Sequence, residues 1–500
     1  MNYILAIDEG TSSTRVRLYT TSGRLVKSSQ YILTQYYPKK GWVEHDPEEI
    51  WQKTVAAIHD VTDAIDLRKI RACGITNQRE TTLIWDKHTG KCLSNALVWQ
   101  DRRTEEFCRT LASHSELIRK KTGLMPDPYF SASKLRWLLN EIPEAQTLAQ
   151  QERLAFGTID SYLIWRLTHG ANHYTDVTNA SRTLLYNIVE QTWDEDLLQL
   201  FEIPRSVLPE VLDCNGHFGY ISSEVLPNNI PITGVAGDQQ AALIGQQCFN
   251  EGMVKATYGT GGFLLLNTGS TPVFSNHQLL TTVAYRINNK IAYGLEGSFY
   301  QAGTMVKWLR DQLKLITSAS ETEELAKSLS SNEGVYLIPS FTGLGAPHWL
   351  SLNGAVMVGL SLSSNASHFA RAALESVCYQ TRDVLRCMRE DSGLELSLLR
   401  VDGGMSENDW FLQYLASQLN AHVQRPHDIE TTALGAALLA AVGADIIDLT
   451  TGFEENHTFD QEFYPSEDQE AAQKDYEGWL NALSMIKHNQ GHFQPECSET

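Results

Sequence analysis

Apolar positions in the first thirty residues come in short runs with turn residues between them, not on a helical stripe. Tyr3-Ile4-Leu5-Ala6-Ile7 is an apolar run with β-favouring ends, and Glu9 to Thr14 is a turn rich in glycine and hydroxyls. Val16, Leu18 and Tyr19 mark a second strand, Ser22-Gly23 turns the chain, and Leu25-Val26 enter a third. The first strand is therefore expected to return antiparallel, where a P-loop or Rossmann protein would place a helix. No G-x-x-x-x-G-K-[ST] string occurs; Gly90-Lys91-Cys92 fails at the last position.

The same opening recurs halfway along. Met253 to Tyr258 reads as a strand, Gly259-Thr260-Gly261-Gly262 as its turn, and Phe263 to Leu266 as the return. One strand–turn–strand unit per half is a weak internal repeat and predicts two related lobes. Their boundary is expected near Gly245 to Gly252, after the helical Gln239 to Ile244. Further on, the strand Leu398–Asp402 runs into Gly403-Gly404. Ser406 is the expected N-cap there, with Asp409 as partner, ahead of a helix whose apolar positions are Trp410, Phe411, Tyr414, Leu415 and Leu419. Asn408 would then lie one turn inside it. A helix is also predicted over His368 to Met388, capped by Ser367, with Phe369, Ala373, Val377, Val384, Leu385 and Met388 facing the core. From about 455 the chain is polar and reads as a surface helix plus a loose tail. The expected organisation is α/β: one lobe over 1–247, a second over 248–445, and a C-terminal helix and tail over 446–500.

Composition narrows the function classes. With 42% hydrophobic residues in 500, a large core needs no disulfide scaffold. The chain carries 60 acidic against 40 basic residues, net −20, which argues against a nucleic-acid binder with a basic face. It leaves room for a small anionic ligand, because screening over ~8 Å lets a few local cations prevail. Eight scattered cysteines form no C-x-x-C and read as reduced core thiols of a cytoplasmic protein. The N-terminus lacks the basic and apolar regions of a signal peptide, and no run approaches ~18 apolar residues. Asn179-Ala180-Ser181 and Asn365-Ala366-Ser367 are read as chance sequons.

Five places could carry chemistry. Asp8 ends the first strand beside Gly10, Thr11, Ser12 and Ser13, and a carboxylate there can hold Mg²⁺ while the turn binds phosphate oxygens; Arg15 could add a charged contact. An ordinary hairpin with a solvated Asp has the same pattern. Gly259 to Gly262 offers backbone N–H groups, or is simply a turn. Gly403-Gly404 permits close approach of a flat ligand, or only starts a helix. Asp238, just past the apolar strand Ile232 to Ala236, is either a helix cap or a general base facing an interlobe cleft. Arg79-Glu80 is either a solvated pair or a donor fork beside an acceptor, suited to a polyol.

Longer strings join these places. They include Asp8-Glu9-Gly10-Thr11, Gly41-Trp42-Val43-Glu44-His45-Asp46, Gly74 to Thr82, Val98-Trp99-Gln100 and Asp127-Pro128-Tyr129-Phe130. Thr178 to Thr183, Ala236 to Ala242, Tyr258 to Gly261, Phe341 to Pro347 and Val401 to Gly404 follow. Over nearly all of 1–440 the chain resembles the FGGY family of carbohydrate kinases. The Asn77–Thr82 and Asp238 strings are similar to its glycerol kinase branch rather than to its pentulose or hexulose kinases. The resemblance implies two ribonuclease H-like, actin-like ATPase lobes with a cleft between them. It also implies ATP and Mg²⁺ as cofactors, and phosphorylation of glycerol to sn-glycerol 3-phosphate, the first step of glycerol catabolism, in a cytoplasmic homo-dimer or tetramer. By the same resemblance Arg79, Glu80, Tyr129, Asp238 and Gln239 contact glycerol, with Trp99 and Phe263 as apolar walls. Thr11, Ser12, Ser13 and Arg15 form the first phosphate loop; Thr260, Gly303, Lys307, Gly404 and Asn408 hold the nucleotide. Asp238 is the base, and Asp8 orients hydrated Mg²⁺. The alternatives are a kinase of another small polyol or ketose and a non-catalytic actin-fold ATP sensor. Two departures stand out. Glu9 replaces the family's usual Gln, and would weaken nucleotide binding unless it points away. Ser222 to Asn229 replaces the basic glycine-rich loop with which some bacterial members bind fructose 1,6-bisphosphate.

Overall fold

The computed structural model describes residues 1–341, 343–350, 354–396, 398–449, 451–453 and 459–488. Two mixed sheets organise them. The first has the order Gly219–Tyr220, Pro231–Gly237, Ile70–Asn77, Tyr3–Glu9, Ser13–Thr20, Leu25–Ile32. The second has the order Leu280–Ile287, Lys290–Phe299, Gly262–Gly269, Val254–Tyr258, Leu398–Asp402, His422–Pro426, Phe459–Phe463. In each sheet the opening strand pairs antiparallel with its hairpin return on one side and parallel with a later strand on the other. A further parallel strand and an antiparallel edge follow in both. The expected repeat thus extends well beyond the two hairpins, and the antiparallel return is present in both.

Several local expectations are corrected. Asn365, not Ser367, caps the long helix Ala366–Ser392, in a capping box with His368. Asn408, not Ser406, caps helix Asp409–Leu419: its Oδ1 accepts from the Phe411 amide at 2.8 Å. The Gly403-Gly404 turn winds through one extra turn of 3₁₀ helix, so Ser406 lies before the cap and donates to the Gly403 carbonyl at 2.6 Å. Gly237 caps helix Asp238–Gly245, which leaves Asp238 as its first residue. The polar stretch beyond 455 is more than a surface helix. Phe459–Phe463 closes the second sheet, and helix Gln469–His488 buries Tyr476, Trp479, Leu483 and Ile486 against Ile338, Leu344 and Tyr379. One apolar stripe among many charges suffices for that packing. The tail beyond 488 lies outside the described residues.

Helix Thr431–Gly443, which the 445 boundary assigns to the second lobe, packs on the first sheet. Its Ala436, Ala437, Leu439 and Ala440 share a core with Ala6, Ala72 and Ala236. Small residues make this approach possible: a Cβ on Gly74 would lie 2.1 Å from the Ala436 carbonyl oxygen, and one on Gly234 2.3 Å from the Ala440 amide nitrogen. The seven described cysteines are free, and all but the half-buried Cys92 are buried. Asn179 is fully buried and Asn365 is occupied as a cap, in keeping with chance sequons. Among the described residues no helix is long and apolar enough to cross a membrane.

Candidate active site

The register of the first sheet brings three chain exits to one edge. Asp8 lies opposite Thr76 and Thr76 opposite Ala236, so the residues after Glu9, Asn77 and Gly237 emerge side by side. Across the hairpin Asp8 faces Arg15. Burial pushes the Asp8 carboxyl up to about 7; Arg15 opposes this, and the Glu430 and Asp238 carboxylates reinforce it. A carboxyl so placed gains from an approaching divalent cation, and a carboxylate oxygen is a donor that suits Mg²⁺. Glu9 alternates to the opposite face of the strand. It is fully buried, accepts a hydrogen bond from Thr14 Oγ1, and is raised well above the carboxylate range by burial. The departure at Glu9 therefore lies in the core, away from the edge that Asp8 faces. Arg15 pairs with Glu430 from the other half of the chain and donates to Gln30 Oε1 at 3.2 Å. Ser12 is exposed, and Thr11 and Ser13 are half-buried.

Arg79 and Glu80 are buried, so they are no solvated pair. Arg79 Nη1 and Nη2 lie 2.5 and 3.2 Å from the two oxygens of Glu296, and its Nε is 3.1 Å from Asp238 Oδ1. Nη1 also donates to Gln240 Oε1 at 3.2 Å, and Nη2 reaches the Tyr129 hydroxyl at 3.5 Å. Glu80, at φ 60°, accepts from Arg182 Nε at 2.6 Å, and Arg182 Nη2 donates to Glu296 at 2.9 Å. Two guanidinium groups and two carboxylates thus interlock out of water. Burial alone would raise the Glu296 carboxyl, but Arg182 and Arg79 outweigh it and hold it down at about 2. Glu80 remains raised, since burial there exceeds the pull of Arg182 and Arg79.

Arg182 and Glu296 were missed as site residues. Arg182 lay inside the Thr178–Thr183 string, and Glu296 is a lone charge in the otherwise uncharged run Ile291 to Phe299. Lys255 was missed too: fully buried, it donates to Gln239 Oε1 and, at 2.7 Å, to Thr257 Oγ1.

Asp238 itself keeps part of its side chain open to solvent, and its Oδ1 accepts from the Gln239 amide at 2.7 Å. Trp99 and Tyr129 pack edge to face, ring centroids 5.5 Å apart, and Trp99 Nε1 donates to Thr11 Oγ1 at 2.9 Å. That bond ties an expected apolar wall to the expected phosphate turn. Phe263 is half-buried, in register with Thr257 and Ser298.

The second hairpin is neutral. Thr260 is exposed at its tip, and its carbonyl accepts from the Ala302 amide at 3.0 Å and from Thr304 Oγ1 at 2.9 Å. The Gly303 amide, at the first residue of helix Gly303–Asp311, donates to the Gly259 carbonyl at 2.9 Å, and a Cβ on Gly303 would lie 2.6 Å from that same oxygen, so its lack of a side chain lets the helix start pack against the hairpin. Lys307 is exposed one turn further along. Gly403 has φ +83° and lies against the Tyr258 backbone, whereas a Cβ on the exposed Gly404 would meet nothing within 4 Å. Asn408, besides capping its helix, donates to Thr322 Oγ1 at 3.2 Å.

Both halves of the chain match known proteins. Residues 3–245 match the N-terminal domain of the FGGY family of carbohydrate kinases, and residues 254–444 match its C-terminal domain. A glycerol kinase of Gluconobacter oxydans is 53% identical over 88% of this chain and 86% of its own length. One of Ectopseudomonas mendocina is 49% identical over 97% of this chain and 99% of its own. The crystal structure of Plasmodium falciparum glycerol kinase with ADP superposes with a TM-score of 0.92, at 40% identity over 97% of this chain and 98% of that one. A xylulose kinase of Lactobacillus acidophilus, at 22% identity and a TM-score of 0.88, shares the fold.

Proposed function

The chain belongs to the FGGY family of carbohydrate kinases, and from that premise we propose that it transfers the γ-phosphoryl group of ATP to a terminal hydroxyl of glycerol, giving sn-glycerol 3-phosphate and ADP. The observation that carries the reading is Asp238: a partly open carboxylate at the sheet edge that accepts from the Gln239 amide and lies 3.1 Å from Arg79, whose guanidinium also reaches Tyr129, the ring packed against Trp99. Asp238 accepts the hydroxyl proton as the oxygen attacks the γ-phosphorus in line; the O–P bond to the β-phosphate breaks and ADP leaves. Arg79, Tyr129 and Gln239 place the polyol hydroxyls, and Trp99 and Phe263 flank its carbon chain. Glycerol is then chosen by hydroxyl contacts at one face and apolar walls at the other.

ATP enters as its magnesium complex, with Asp8 as the residue that would face the hydrated ion and supply the charge complement. Thr11, Ser12, Ser13 and Arg15 serve the transferred phosphate, for which Arg15 exchanges Glu430. Thr260, Gly303, Lys307, Gly404 and Asn408 line the nucleotide side. Catalysis is then positioning and charge stabilisation, with no covalent intermediate. We further propose a homo-dimer or tetramer acting in the cytoplasm; light scattering on the purified chain measures the first. ATP-dependent phosphorylation of glycerol, dihydroxyacetone, xylulose and gluconate tests the activity. Glycerol is expected to give the highest kcat/KM. A ketose turned over more efficiently would overturn the reading, and turnover of none would leave an ATP-binding sensor.

A further inference from the structure

Resting on that reading, we propose that the second lobe shapes the glycerol site from behind, with Glu296 and Lys255 as positioning residues for Arg79 and Gln239. Glycerol contacts apart from Phe263 come from the first lobe. Yet the two side chains that fix their orientation come from second-sheet strands, Lys290–Phe299 and Val254–Tyr258. Neither reaches the polyol as the lobes stand: Glu296 is 2% exposed and Lys255 0%.

The argument for Glu296 is geometric. A guanidinium is planar, and a carboxylate bonded to two of its nitrogens fixes that plane. Glu296 does this at 2.5 and 3.2 Å, which turns Nε of Arg79 to Asp238. Arg182 holds Glu296 in turn, at 2.9 Å, and reaches Glu80 at 2.6 Å. The argument for Lys255 is one of donor and acceptor. An ammonium group has donors only, so its contact with Gln239 Oε1 turns the amide oxygen inward and leaves the NH₂ end to donate elsewhere. Gln239 then presents a donor to a hydroxyl oxygen, next to Asp238, which accepts a hydroxyl proton. A triol offers both partners, and each of the two orienting bonds crosses between the lobes.

Glu296→Gln and Lys255→Met test this, each assayed for KM and kcat toward glycerol and ATP, with thermal unfolding alongside. The expected result is a glycerol KM raised about 10-fold or more with the ATP KM within about 2-fold of wild type. Glu296→Asp, which keeps the charge, is expected to recover part of the loss. A lowered Tm with unchanged glycerol KM would reduce both residues to packing and overturn the proposal; so would a rise confined to the ATP KM. Glu296→Gln leaves two buried arginines short of a charge, and if it does not fold, Lys255→Met decides, since it removes a buried charge. In a Gln239→Ala background Lys255→Met should change the glycerol KM no further; an additive effect would show that Lys255 does not act through Gln239. Wild-type turnover on the polyol panel is read separately. If another polyol is the better substrate, the function fails, and the variant-to-wild-type ratio for that polyol still tests the positioning.

Discussion

The hairpins that open the two lobes share a topology and divide the chemistry. The first carries Asp8 and Arg15 at its mouth, with Arg79, Glu80 and Asp238 leaving neighbouring strands. The second, Gly259 to Gly262, has no ionisable side chain, and its neighbours Gly303, Gly403 and Gly404 add backbone alone. On the proposed function, charge gathers where a proton and a phosphoryl group would move, and bare backbone where a nucleotide would lie. The difference separates two kinds of damage: removing atoms should hurt the first edge, and adding atoms the second.

The sharpest break of this contrast is Asp238→Asn. It should lower kcat by roughly 10²–10⁴, the worth of a positioned base, with Tm and ADP affinity kept. Near-wild-type turnover would make Asp238 only the first residue of a helix. Gly404→Ala adds a methyl where the protein has open space, so Tm should hold while the ATP KM rises about 10-fold. Gly403→Ala, at φ +83° against the Tyr258 backbone, should instead lower Tm. Equal behaviour of the two variants in unfolding and kinetics would erase the distinction.

Asp8→Asn sharpens the first edge through pH. The folded Asp8 carboxyl titrates near 7 against an ordinary 3.8, so between these values the folded chain holds a proton that the unfolded chain has lost. Stability without metal or nucleotide should fall as pH rises through that window and level off above it. Asp8→Asn should lack this fall, with a Tm above wild type at pH 8 and equal to it below pH 4, while activity drops. Unfolding curves across that range decide. The smallest effect concerns the 214–231 segment, which holds no Lys or Arg. Initial rates with millimolar fructose 1,6-bisphosphate should match those without it, and saturable inhibition would place a phosphate site here or elsewhere.

Much of this was legible because hairpins and strand-end residues are local. Tyr3 to Ile7 and Met253 to Tyr258 announce strands by composition, and Asp8 and Asp238 follow apolar runs that end in turns. Caps were misread where competing polar residues stand close together: Asn365 and Ser367 lie two apart, as do Ser406 and Asn408, and backbone geometry alone decides between them. The partners of Arg79 lay beyond reach, since Glu296 is 217 residues away and meets it only through the docking of two sheets. Helix Gln469–His488 hid its buried Trp479 among charges for the opposite reason, its apolar stripe being narrow against a polar background.

The seating of helix Thr431–Gly443 on the first sheet has a consequence for how this chain is made. Strands of the first lobe leave the ribosome well before the helix that covers one of their faces, since most second-lobe elements are translated in between. Until it arrives, the surface around Ala6, Ala72 and Ala236 has no lid. The nascent chain must therefore hold a half-covered sheet through synthesis of nearly the whole second lobe. A ribosome that stalls before Thr431 would release a product with a sticky face, a substrate for chaperones and proteases rather than a free-standing domain.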